Sequence, residues 1–155
     1  MEYIVQFFSN KIILGFICSC LFSQILKFII YIIMNRKIDI RRLLGDGGMP
    51  SSHSCLVTTI ATLCAYTYGL DSFEFGISLL LASIVMHDAK GVRYETGKQS
   101  KIINELTEII NNITDLTTDF TEQKLKEFVG HTPLQVYVGA LLGLGVGTFV
   151  YYLFS

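Results

Sequence analysis

Gly47-Gly48-Met49-Pro50-Ser51-Ser52-His53-Ser54 opens an apolar stretch that runs to about Leu70, and Gly130-His131-Thr132-Pro133 opens another that runs to about Phe154. In both, a proline sits close to a first helical turn, where its missing N–H costs nothing. In both, a serine or threonine is available as a cap. The two stretches therefore read as helix starts, each carrying a histidine. Unpaired N–H groups and the positive end of the dipole point outward at such starts, so two of them side by side suit an anion. A phosphate group is the natural candidate.

Working outward, two more segments are long and apolar, about Ile12 to Met34 and about Phe73 to Asp88. With Ser54–Leu70 and Pro133–Phe154 they make four spans or near-spans of a bilayer. The second and third are short, and Leu70-Asp71-Ser72 joins them tightly, as in an antiparallel helical hairpin. The chain has 155 residues and is 51% hydrophobic, which predicts one membrane-embedded domain over residues 1–155. The fold class is all-α, a polytopic helical membrane protein with about four transmembrane helices. Tyr3 to Phe8 reads as an interfacial start to the first helix, and the segment after it is too long for a cleaved leader. A formal net charge of −1 with no basic tail argues against nucleic acid. Cys18, Cys20, Cys55 and Cys64 all fall in apolar stretches and read as small packing residues.

The charges are segregated. Arg36, Lys37, Arg41 and Arg42 lie between spans one and two; Lys90, Arg93, Lys98, Lys101, Lys124 and Lys126 lie between spans three and four. The other side has Lys11 against Glu2, Asp71 and Glu74. Excess positive charge marks cytoplasmic loops, so an integral membrane protein with both histidine-bearing loops in the cytoplasm is expected. That topology alone brings His53, His131, Asp88 and Arg93 to one membrane face.

The last loop carries a helix of its own. Ile102, Ile103, Leu106, Ile109, Ile110, Ile113 and Leu116 recur at helical spacing. Its polar face bears Glu105, Glu108, Asn111, Asn112 and Asp115, unlike the basic face of a membrane-surface helix. It is expected to pack on protein, either its own bundle or a second copy. Asp119 and Glu122 fit a capping box, with a short helix then running to Val129 and ending at Gly130. Gly139, Gly143 and Gly147 form a close-packing stripe on the fourth span, read as internal packing or as a homodimer contact.

Several residues are candidates for chemistry. Lys27 is an ionisable group inside a span; it either snorkels to the headgroups or serves a phosphate. His87, beside Asp88, reads as interfacial or as a support behind the site. Asp88 can orient a histidine, or pair with Arg93 or Lys98. Arg41, Arg42, Arg93 and Lys98 can clamp phosphate oxygens.

These residues also carry a resemblance. Arg41-Arg42-Leu43 with Gly47 to Ser54, then Val85-Met86-His87-Asp88-Ala89-Lys90-Gly91-Val92-Arg93 with Gly97-Lys98-Gln99, then Leu125-Lys126-Glu127 through Gly130-His131-Thr132-Pro133-Leu134 with Val136 and Gly139, resemble the divergent phosphatidic-acid-phosphatase-type membrane family, related to acid phosphatases and vanadium-dependent haloperoxidases. The likeness runs from about Gln24 to Gly143. It implies a membrane phosphatase acting on a lipid or polyprenyl phosphate or pyrophosphate, with no metal or other cofactor. His131 would be the nucleophile and His53 the acid. Gln135 or Asp88 would hold His131. Lys27, Arg41, Arg42, Ser52, Arg93 and Lys98 would bind the phosphate. The chain departs from the parent pattern at Ser52, where glycine is usual, at Gln135, where aspartate is usual, and at Leu125, where an arginine is usual. Lys27 with Arg41 or Arg42 is an imperfect match to the parent's lysine-to-arginine-proline motif. A non-catalytic lipid-phosphate binder, transporter or assembly protein on the same scaffold is the alternative.

Overall fold

The computed structural model describes residues 1–36, 38, 48–113, 125 and 130–154. Six helices account for nearly all of them: α1 (Glu2–Ser9), α2 (Lys11–Asn35), α3 (Ser52–Tyr68), α4 (Phe73–Lys90), α5 (Val92–Ile113) and α6 (Pro133–Leu153). The helix starts follow from short polar side chains. Asn10 accepts from the backbone N–H groups of Ile12 and Ile13, Ser51 from Ser54, and Ser72 from Phe75. Thr132 and Gln135 close a full capping box on α6, with Pro133 at its first position. Gly69, at φ +94°, ends α3 in a conformation that suits glycine and lets the chain double back into α4.

Among the described residues, three stretches are long and apolar enough to cross a membrane: Lys11–Asn35, Phe73–Ile110, which begins as α4, and Pro133–Leu153. The fourth helix of the bundle, α3, has only 17 residues but lies at the centre, packed by α2, α4 and α6. Its burial explains its composition. Ser54, Cys55, Thr59, Thr62 and Cys64 are buried with Val57, Ala61 and Leu63. Small side chains let neighbouring backbones come close where lipid supplies no hydrophobic drive between helices.

The glycine stripe of α6 is used inside the chain. A Cβ on Gly139 would meet Ser51 and Ser54, one on Gly143 would meet Cys55 and Thr58, and one on Gly147 would meet Thr59 and Thr62. Thr59 Oγ1 donates to the Gly143 carbonyl at 3.1 Å across the same seam. On α2 the inward face is Gly15, Ser19, Ser23 and Lys27, one residue per turn. Gly15 lies against Leu63 and Thr59, Cys55 Sγ contacts the Ser19 carbonyl, and Lys27 lies against Gly48. This antiparallel register sets the depth of Lys27. All four cysteines are free, and Cys55 and Cys64 are buried, in keeping with packing roles.

The loop helix starts earlier than its apolar repeat suggested. It starts at Val92, ten residues before the apolar repeat, because Gly91 merely bends the chain as α4 hands over to α5. Lys98–Glu95 and Lys101–Glu105 ion pairs support its polar first half. Among the described elements it packs only on α4, and Ile102, Ile103, Leu106, Ile109 and Ile110 are exposed. The Asp119–Glu122 capping box and the helix to Val129 lie outside the described residues. At the other end of the bundle, α1 exposes all eight of its side chains, as an interfacial segment does.

Candidate functional site

Four helix ends meet at one end of the bundle. The start of α3 supplies Ser52 and His53, the end of α4 supplies Asp88, the start of α5 supplies Arg93, and the start of α6 supplies His131 and Gln135. Backbone bonds lock them together. The His131 N–H donates to the Ala89 carbonyl at 3.1 Å, and the Ser51 N–H to the Gln135 carbonyl at 3.0 Å. The His53 and His131 rings, 78 residues apart in sequence, lie 6.4 Å apart between centroids and are tilted by 54°.

The two imidazoles are unequal. His131 is buried, with 7% exposure, whereas His53 is open to the surface. His131 Nδ1 is 3.2 Å from Gln135 Oε1. The same oxygen accepts from the Thr132 backbone N–H at 3.1 Å. A backbone N–H can only donate, so the atom facing it is the amide oxygen, an acceptor. Nδ1 of the neutral ring must therefore carry the hydrogen, which leaves the Nε2 lone pair unspent. The neighbourhood keeps the ring neutral. Burial pushes the His131 pKa below its ordinary value, the Gln135 bond pulls partly back, and the charges of Lys27, His53 and Arg93 push it down further.

Lys27 comes from the middle of α2 and is buried. A Cβ on Gly48 would stand 3.6 Å from Lys27 Cγ, so the stem runs past this glycine, whose φ of +85° also suits glycine best. Its charge is felt at His131. The α2 helix continues eight residues past Lys27 through Phe28-Ile29-Ile30-Tyr31-Ile32-Ile33-Met34 to Asn35. At 1.5 Å per residue, Lys27 is recessed about 12 Å below the end of that apolar helix. Ser52 Oγ is buried and has no protein hydrogen-bond partner, and Gln24 Oε1, one turn before Lys27, shares that condition.

The remaining candidates divide. Asp88 meets Arg93, with Nε to Oδ2 at 2.6 Å, and is not bonded to either histidine of the pair. Lys98 is exposed, bonded to Glu95 at 2.9 Å and set over the Tyr94 ring; it is not gathered with the histidines. His87 is exposed. Arg41 and Arg42 lie outside the described residues. Leu125 is exposed and doubly bonded to Asn104.

Two contributors escaped the sequence reading. One is the Ala89 carbonyl, which holds the His131 backbone. The other is Gly130, whose Cβ would collide with the backbone of Arg93 and Tyr94. The glycine beside a histidine was the available signal, but it read equally well as a helix end.

A family model described as the divergent PAP2 family matches residues 8–146. The uncharacterized membrane protein YuiD of Bacillus subtilis (strain 168) is 37% identical over 147 residues, which cover 90% of this chain and 93% of that protein. No solved structure matches.

Proposed function

The chain belongs to the divergent PAP2 family, and from that premise we propose that it is a membrane phosphatase that cleaves a lipid or polyprenyl phosphate or pyrophosphate through a histidine nucleophile. The observation that carries this reading is the pair of rings 6.4 Å apart, with the proton of the buried one assigned to Nδ1. A nucleophile about 3–3.5 Å from phosphorus and an acid about 3 Å from the leaving oxygen need a gap of this order.

In this mechanism His131 Nε2 gives its lone pair to phosphorus as the bond to the leaving oxygen breaks. His53, in its protonated form, delivers a proton to that oxygen. Water then attacks the phosphohistidine, giving its proton to His53, and phosphate leaves as the P–N bond breaks. Gln135 holds the nucleophile. Lys27, Ser52 and Arg93 neutralise or bind the phosphate oxygens, with Arg41, Arg42 and Lys98 as further cations on the same loops. The recessed level of Lys27 favours a phosphate carried on a lipid over one free in water. The positive loops favour a cytoplasmic site.

The test is phosphate release from a panel of lipid and polyprenyl phosphates, with His53→Ala and His131→Ala beside the wild type. A phosphohistidine trapped in the wild type and lost in His131→Ala is the expected result; full turnover in His131→Ala refutes the mechanism. A second reading, a non-catalytic lipid-phosphate binder, is favoured by one observation: Gln135 offers the imidazole no compensating charge. Phosphate binding by the wild type without release would select it.

A further inference from the structure

Arg93 and Asp88 form the shortest ion pair among the described residues, at 2.6 Å across the bend between α4 and α5. Both side chains are partly exposed, at 53% and 40%, and such pairs contribute little to stability. The bend nevertheless is held from several sides. The Gly91 N–H donates to the His87 carbonyl at 2.9 Å, the Glu95 N–H to the Gly91 carbonyl at 3.0 Å, and the His131 N–H to the Ala89 carbonyl at 3.1 Å. Gly130 presses on the Arg93–Tyr94 backbone where no side chain would fit. Arg93 therefore stands on the same rigid corner as His131, and its charge reaches that ring.

The bonding pattern within the guanidinium is the informative part. Asp88 takes Nε. An arginine has five N–H donors in a planar fork, so engagement through Nε leaves the two Nη groups for another acceptor. Planar, bidentate donation is what phosphate oxygens favour. Elsewhere on the chain Leu125, six residues before His131, is turned to Asn104 and carries no charge.

We propose that Asp88 is a positioning residue that holds Arg93 by its Nε and presents the Nη pair as a two-pronged clamp for the phosphate bound beside His131. Asp88 thus acts on the substrate anion through Arg93. This deepens the phosphatase reading and rests on it.

The test uses the full chain purified in detergent, with inorganic orthovanadate and inorganic phosphate as probes and direct binding as the readout, so that turnover is not required. Asp88→Asn and Arg93→Lys are each expected to weaken vanadate binding roughly tenfold, the scale of losing or misaligning a charged hydrogen bond. The exchange Asp88→Arg with Arg93→Asp supplies the control for a merely structural role. It restores an ion pair across the bend, with thermal stability expected to stay close to that of the wild type, but moves the cation to the end of α4, so binding stays weak. Full binding in the exchanged protein overturns the inference. Unchanged or tighter binding in Asp88→Asn also overturns it, the latter because Asp88 would then be competing with phosphate for Arg93. If the wild type binds neither probe, this inference fails; if it also releases no phosphate from the lipid and polyprenyl phosphates, the phosphate reading fails with it. If the wild type binds and His131→Ala abolishes phosphate release while Asp88→Asn binds normally, only the role of Asp88 is lost.

Discussion

Replacing Gln135 by glutamate tests the centre of the site with almost no change in shape. The new carboxylate keeps an oxygen for the Thr132 N–H and for His131 Nδ1, now 3.1 and 3.2 Å from Oε1, and adds a negative charge. At about 3 Å with an effective dielectric near 20, the bare attraction to an imidazolium is on the order of 5 kcal/mol. Partial burial of the carboxylate offsets much of that, and a neighbouring opposite charge typically shifts a pKa by about 1–3 units. His131 now sits below the ordinary histidine value because burial, Lys27, His53 and Arg93 all disfavour its charged form. Gln135→Glu should carry it upward by about that amount. The sign for stability reverses once the folded value passes the unfolded one. In the wild type the native ring binds protons less readily than the unfolded one, so its contribution is present above the unfolded pKa of about 6.5 and is lost as pH falls. Once the folded pKa exceeds 6.5 in the variant, the contribution is present at low pH and is lost as pH rises through the new value. An NMR titration of the His131 ring, with thermal unfolding followed from pH 5 to 8, reads both effects. A His131 titration that does not move in Gln135→Glu would refute the assignment of Gln135 to Nδ1, and with it the proton placement that leaves the Nε2 lone pair for the proposed attack.

Two other expectations concern the fold and its orientation. Gly143→Ala should destabilise the bundle by about 1–3 kcal/mol, because its Cβ would be driven into the Cys55 carbonyl and towards Thr58. Gly145→Ala, with nothing within 4 Å, should be neutral or stabilising by up to about 1 kcal/mol; equal unfolding temperatures for the two variants would argue against the α3–α6 seam. In a cysteine-free background, single cysteines at Lys98 and Asp71 should label from opposite sides of the membrane, with Lys98 on the cytoplasmic side, and labelling of both from one side would contradict the charge-based topology.

The four bundle helices were legible because their signals are local. Each span boundary falls within a few residues of the apolar run that announced it, and Ser51, Ser72 and Thr132 cap the helices they precede. The convergence of His53 and His131 was legible too, since an even number of crossings separates them and both stand at helix starts. The role of Asp88 was not. Its sequence neighbourhood allowed a histidine or a cation as partner, and only the bend at Gly91 gave it Arg93. The α5 boundary was missed because the polar residues before Ile102 carry no apolar period, yet helix continues there from the end of α4.

Hydropathy and helix-end chemistry, both written in short windows of sequence, determine that this protein is an all-α membrane bundle with two histidines at one end. Whether a glycine stripe meets a neighbouring helix or a second copy, which nitrogen of His131 keeps its hydrogen, and which cation Asp88 holds depend on contacts between residues dozens of positions apart. Those were decided only when α3 was buried among α2, α4 and α6, because side-chain partners across helices are set by register and close approach, which no local pattern encodes.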